Sequence, residues 1–300
     1  MKNTFPGGVW PVMLTPFTED DRVDLSALEA LTDWYIAQGA SGLFAVCQSS
    51  EMFFLSLEER VALAETVVRA ARGRVPVIAS GHVSDAAQGQ LAELRALSAA
   101  GVEALVLISN RMAAEGESDE IWRARTQALM DGLPEGLPLG LYECPFPYKR
   151  LVSLEGLRWA ARTGRFFFMK DTCCDEALIS RRIEAIAGTE MRLYNANSTT
   201  LLSSLQAGAA GYSGVMASFH PALYARLCTA KGGAEAERLS DFLSIASLIE
   251  RQCYPVNAKY HLGAIEGLKM TTRCRVKDDA ELSPAFKREV EALDRMARRM

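Results

Sequence analysis

Eight short apolar runs, each followed by an amphipathic segment, alternate along most of this chain and leave it few folds to choose from. The runs fall at 9–14, 42–46, 75–79, 104–108, 137–142, 166–170, 192–195 and 211–215. Between them, apolar residues at helical spacing predict helices over 25–37, 57–71, 86–99, 119–130, 154–163, 176–186, 200–207 and 221–230. Each run is apolar on both faces, as strands are when helices cover both sides of a parallel sheet. Eight such units predict an α/β fold in which the sheet closes on itself, a (β/α)8 TIM barrel. A doubly wound open sheet is the competing arrangement, but no GxGxxG follows the first run. Local signals set several ends: Ser56 with Glu59 forms a capping-box pattern, Ser153 leads another helix, and Gly101, Gly188 and Gly208 fall where helices should stop. Beyond about residue 231 the strand signals cease. Helical stretches at 234–251, 256–268 and 284–299 follow, so the expected division is a catalytic barrel over 1–231 and a three-helix region over 232–300.

Composition narrows the function. Of 300 residues, 49% are hydrophobic and 23% charged, enough apolar side chains for a large core. The net charge is −4 and the basic residues are dispersed, which gives no footprint for nucleic acid or for an anionic membrane. No apolar run approaches the roughly 20 residues that span a bilayer, and the N-terminus lacks the apolar stretch of a secretory signal. Seven scattered cysteines without a CxxC pair predict reduced thiols and a cytoplasmic protein. The three histidines, His82, His220 and His261, are not spaced as HxH or HExxH, so a zinc site is not expected.

The chemistry should lie where strands end, because barrels of this kind carry their sites there. Lys170 ends the run Phe166-Phe167-Phe168-Met169. Desolvation lowers an amine's pKa and frees its lone pair, as a Schiff-base nucleophile requires. Tyr142 ends the preceding run, one strand–helix–strand step earlier, and a phenol there can move protons. After the second run comes Cys47-Gln48-Ser49-Ser50-Glu51, where adjacent hydroxyls and backbone N–H groups can cradle a small carboxylate. Each element alone has a plain structural reading: a snorkelling lysine, a half-buried aromatic, a serine-rich turn. Their order along the chain favours an imine-forming site that needs no metal or organic cofactor.

Several segments together resemble the dihydrodipicolinate synthase / N-acetylneuraminate lyase family. They are Val12-Met13-Leu14-Thr15-Pro16-Phe17, Ser49-Ser50-Glu51 with Leu55-Ser56-Leu57-Glu58-Glu59-Arg60, Tyr142-Glu143-Cys144-Pro145 and Met169-Lys170-Asp171. The stretches 207–214 and Tyr254-Pro255-Val256-Asn257-Ala258-Lys259 extend the likeness almost to the C-terminus. The resemblance implies a (β/α)8 barrel with a C-terminal helical domain, assembled as a homo-oligomer, a dimer or a tetramer made of dimers. It also implies condensation or cleavage of a 2-oxo acid, commonly pyruvate, through an enzyme-bound imine. Lys170 would form the Schiff base, Tyr142 would transfer protons, and Ser49 with Ser50 would hold the carboxylate.

Departures from that family's pattern shape the expected activity. The usual Gly-Thr-Thr-Gly-Glu loop is here Cys47-Gln48-Ser49-Ser50-Glu51, so Gln48 replaces a threonine that relays protons in the synthases. The synthases' tyrosine pair after the fourth strand is replaced by Ser109-Asn110-Arg111-Met112, and their substrate-gripping arginine would fall near Pro147, with Lys149 and Arg150 close by. Arg111 is expected to read a polar or acidic tail, and Asn195 and Tyr212 to line the pocket. The reading is a Schiff-base aldolase or lyase acting on pyruvate or a related 2-oxo acid with an aldehyde or sugar-acid partner, and not a true dihydrodipicolinate synthase. A 2-keto-3-deoxy sugar acid dehydratase using the same imine, and a non-catalytic 2-oxo acid-binding barrel, are the alternatives.

Overall fold

The computed structural model describes residues 5–300. Eight parallel strands run in the order β1-β8-β7-β6-β5-β4-β3-β2. They are β1 (Gly8–Val9), β2 (Leu43–Val46), β3 (Val77–Ala79), β4 (Ala104–Ile108), β5 (Leu139–Tyr142), β6 (Phe166–Asp171), β7 (Arg192–Asn195) and β8 (Gly211–Tyr212). The first and last strands in that order meet through parallel bridges, Val9 with Ala40 and Val12 with Phe44, which close the sheet into a barrel. Ser41 N donates to Val9 O at 2.8 Å and Met13 N to Phe44 O at 3.0 Å across that seam.

Several strands are shorter than their apolar runs. Pro11, Pro76 and Pro138 lie inside three of the runs and have no N–H to give a ladder, so β1 stops at Val9 and β3 and β5 begin only after their prolines. The helices follow the periodicity closely: α1 (Leu25–Ala37), α2 (Leu57–Ala71), α3 (Ala87–Ala99), α4 (Asp119–Asp131), α5 (Leu154–Arg162), α6 (Glu176–Ile186), α7 (Leu201–Gln206) and α8 (Pro221–Ala230). At the start of α2, Ser56 Oγ accepts from Glu59 N at 3.2 Å and Glu59 Oε2 accepts from Ser56 N at 2.9 Å. Ser56→Ala should therefore destabilise the protein by about 1 kcal/mol in chemical denaturation; an unchanged midpoint would mean the cap contributes nothing. Gly188 (φ 77°) and Gly208 (φ 108°) leave α6 and α7 in the left-handed region that a side chain disfavours.

Beyond α8, the chain forms α9 (Gly233–Ala246) with a 3-10 turn at Ser247–Arg251, α10 (Val256–Tyr260) running into a π-helical turn at His261–Ile265, and α11 (Pro284–Ala297). No helix among the described residues is long and apolar enough to cross a membrane. Aromatic side chains fill the barrel: Phe168 stacks on Tyr194 with centroids 4.4 Å apart, and Trp10 packs against both. All three are fully buried. Beyond this packed centre a cavity opens at the strands' C-terminal ends, where β5 and β6 place their last residues.

Candidate active site

Tyr142 and Lys170 are register partners on β5 and β6. Their side chains meet inside the barrel, with Lys170 Nζ 4.2 Å from the centre of the Tyr142 ring and 5.9 Å from that of Phe44. Both line a cavity of about 430 Å³ that also touches Gln48, Ser49, Lys149 and Asn197. Lys170 is 4% exposed and makes no hydrogen bond or ion pair among the described residues. Burial lowers its pKa, opposed by the nearby Cys47, Cys144 and Glu250. Burial raises that of Tyr142, so the phenol stays protonated at neutral pH. Tyr142 Oη donates to Gln48 Oε1 at 3.4 Å, and Cys144 Sγ lies 3.4 Å from the same oxygen. An amine whose charge is disfavoured by burial, a protonated phenol and the Ser49 hydroxyl therefore face one space, a set able to attack a carbonyl and move the protons of that attack.

A buried ion cluster fixes the ends of both strands. Glu143 follows Tyr142 and Asp171 follows Lys170; Arg182 of α6 joins the two carboxylates. Arg182 Nη2 donates to Glu143 Oε1 at 2.7 Å and Nη1 to Glu143 Oε2 at 3.0 Å, while Nη1 also pairs with Asp171. Glu143 accepts from Val152 N at 2.8 Å and Thr172 N at 3.1 Å, and Asp171 from Cys173 N at 2.9 Å. Burial raises the Glu143 pKa against the pull of Arg182, because two carboxylates share one guanidinium. With each residue of the reactive pair one peptide away from this cluster, their relative position is set by charge pairing as well as by the ladder.

The loop after β2 is held from the opposite direction. Its missing glycines cost no backbone strain at their own positions: Cys47 is extended (φ −155°), and the left-handed residue is Glu51 (φ 62°). Glu51 is held there by Lys259 Nζ, which donates at 2.8 Å, and by the N–H groups of Arg275 and Val276 at 2.6 and 2.9 Å. Ser50 Oγ accepts from Cys47 N at 2.6 Å and donates to Cys47 O at 2.7 Å, so its hydroxyl is committed to the loop. Ser49 is left as the loop hydroxyl on the cavity.

Other expected pocket residues lie elsewhere. Arg111 pairs with Asp85 at 2.7 Å and with Val83 O, and borders a separate cavity between α3 and α4, because the Ser109–Arg111 turn directs it away from the barrel axis. Asn195 donates to Thr200 Oγ1 at 2.9 Å and Ser204 Oγ at 3.1 Å, which ties β7 to α7. Tyr212 stacks on Tyr224 at 4.0 Å and bonds Ser198 at 3.4 Å, fully buried behind the cavity wall. Lys149 reaches the cavity and donates to Thr172 O at 2.8 Å; Arg150 instead pairs with Asp119 at 2.9 Å. His82 is a buried acceptor for Ile108 N at 2.7 Å, its pKa lowered to about 3 by desolvation.

The sequence reading missed the wall supplied by the C-terminal region, namely Glu250, Arg251, Tyr254, Pro255 and Val276. The Tyr254–Lys259 segment was its only signal, and that segment says nothing about which side chains face the barrel. One group among the described residues has donors close enough to hold a cation: His261, Glu266 and Asp294, with ligand atoms within 4.8 Å of one another. Arg298 already bridges the two carboxylates at 2.7 Å each, and the trio is remote in the fold from the Lys170 cavity, bordering a cavity of its own.

The sequence model described as the dihydrodipicolinate synthetase family matches residues 5–277. A 4-hydroxy-tetrahydrodipicolinate synthase from Jannaschia sp. is 28% identical over 228 residues, 76% of each chain. The enzyme of that name from Cereibacter sphaeroides is 30% identical over 224 residues, 74% of this chain and 72% of its own. A solved structure of the chloride-inhibited dihydrodipicolinate synthase from Acinetobacter baumannii, complexed with pyruvate, superposes with a TM-score of 0.86 at 23% identity. It covers 98% of this chain and 99% of that one, a likeness of fold.

Proposed function

Because the chain belongs to the dihydrodipicolinate synthetase family, whose members are aldolase-type lyases acting on small molecules, we propose that it acts on pyruvate or a related 2-oxo acid through an imine on Lys170. The observation that carries this reading is a buried, unpaired amine facing a cavity 4.2 Å from a tyrosine ring. The Lys170 lone pair adds to the carbonyl carbon. The carbonyl oxygen takes one proton from the amine and one from Tyr142 and leaves as water, and the resulting iminium accepts the electron pair of the bond between the third and fourth carbons when that bond breaks. Ser49 and the N–H groups of its turn bind the carboxylate. Residues 1–231 carry this chemistry in the proposal, and 232–300 complete the mouth of the site.

The second substrate is proposed to differ from that of the synthases. Gln48 offers Tyr142 a carbonyl oxygen where a relay needs a hydroxyl, and Asn110 is engaged with the carbonyls of Cys144, Phe146 and Tyr148 instead of an aromatic reaching the site.

Incubation with pyruvate and borohydride, followed by intact mass and peptide mapping, tests the imine. A reduced pyruvyl adduct on Lys170 is expected. No adduct with pyruvate or with larger 2-oxo acids would leave the barrel a binding module. Tyr142→Phe should keep the fold and lower the rate of adduct formation by roughly 10²–10⁴-fold. An unchanged rate would remove the phenol from the mechanism.

A further inference from the structure

Glu250 is a carboxylate that no hydrogen bond or ion pair ties to the fold among the described residues. It lies in the 3-10 turn after α9, is half-buried, and lines the same cavity as Lys170, where it is the only carboxylate among the lining residues. It shares that lining with Lys170 on β6, Cys174 in the loop that follows and Gly214 after β8, which sets it at the mouth of the barrel. Burial raises its pKa, while the cations Arg251 and Lys170 oppose that shift. The other buried acids near the site, Glu143 and Asp171, are held by Arg182, and Glu51 by Lys259. A half-buried acid that faces the cavity of a reactive amine and makes no hydrogen bond or ion pair among the described residues is the pattern of a proton-transfer group.

We infer that Glu250 is a catalytic residue that takes the proton from the hydroxyl on the fourth carbon of an imine-bound 2-oxo acid and returns it in the condensing direction. This role rests on the imine reading above. In cleavage, the hydroxyl proton passes to the Glu250 carboxylate and the O–H electron pair becomes the new carbonyl bond. The bond between the third and fourth carbons breaks, and its electron pair forms an enamine that neutralises the iminium nitrogen. The aldehyde departs, the third carbon takes a proton from solvent, and Glu250 releases its own to solvent. Water then hydrolyses the imine, replacing the molecule lost when it formed and freeing Lys170.

Arg251 is exposed, makes no ion pair among the described residues, and borders the cavity with Lys149. These two cations favour a substrate whose far end is anionic. The substrate class is therefore a 4-hydroxy-2-oxo acid that ends in a second carboxylate.

The test compares three readouts in wild type and Glu250→Gln: borohydride trapping with pyruvate, exchange of pyruvate's methyl protons for deuterium by NMR, and cleavage of 4-hydroxy-2-oxo acids with a terminal carboxylate. Trapping and exchange need the imine and enamine but no fourth-carbon hydroxyl. The variant should keep both and lose cleavage by roughly 10²–10⁴-fold in kcat, together with the acid limb of the pH profile that an ionising base imposes. Cleavage unchanged in the variant, or trapping and cleavage lost in equal measure, would overturn the assignment. So would a wild type that traps pyruvate yet cleaves none of these acids. A wild type that neither traps nor exchanges pyruvate would remove the imine reading itself, and with it the role of Glu250.

Discussion

Lys170→Met should leave a folded protein with no borohydride-trappable adduct and no turnover, and with a higher unfolding midpoint than wild type at neutral pH. The two effects share one cause. The amine is buried without an ion pair, and burial lowers its pKa below the ordinary lysine value. Between the folded and unfolded pKa values the unfolded chain holds more protons at this site, so stability rises with pH across that window. Below the folded pKa the desolvation cost is fully present; above the unfolded value, about 10.4, it is gone. Methionine fills a similar volume without that cost. Its stabilising effect should be larger at pH 6 than at pH 10, read from thermal midpoints at the two values. A variant less stable than wild type at both would show that the ammonium is satisfied in the fold, and would weaken the case for a reactive amine.

The second large effect falls on Arg182, which is not among the residues lining the Lys170 cavity. Arg182→Met leaves Glu143 and Asp171 facing one another, both 0% exposed in their side chains. Removing one partner of a buried ion pair typically destabilises by about 3–5 kcal/mol, because the remaining charge has neither water nor a counter-ion. Denaturant midpoints should register that loss. The triple variant Arg182→Met/Glu143→Gln/Asp171→Asn should recover much of it, since it strands no charge. Catalysis should not recover in parallel. Tyr142 and Lys170 are the immediate neighbours of these acids, and small displacements of a reacting pair cost rate steeply. A loss below about 1 kcal/mol for the single change would mean the cluster behaves like an exposed pair, contrary to its burial.

Much of the architecture was legible in the chain. Eight runs apolar on both faces, separated by helices, admit few arrangements, and the expected strands and helices are all present. Errors at the ends of β1, β3 and β5 trace to Pro11, Pro76 and Pro138, which the apolar pattern counted as strand residues and the ladder excludes, whereas β8 stops at Tyr212 ahead of the 3-10 turn at Val215–Ser218. Lys170 and Tyr142 were legible as a pair because a polar residue ending a buried parallel strand must open toward the same rim as its neighbours.

The set of elements, their caps and the strand ends that carry polar groups follow from local periodicity and short-range hydrogen bonding, so one dimension suffices for them. Which of those polar groups stay free is settled by packing in three dimensions. Ser50, Arg111, Asn195 and Tyr212 have the chemistry of pocket residues, but their hydrogen bonds go to a loop, to Asp85, to α7 and to Ser198. Glu250, in a turn of the C-terminal region, has no such hydrogen bond among the described residues and faces the cavity. A side chain's partners are set by what packs against it from distant parts of the chain, and a carboxylate in one dimension looks the same whether the fold pairs it or leaves it facing a cavity.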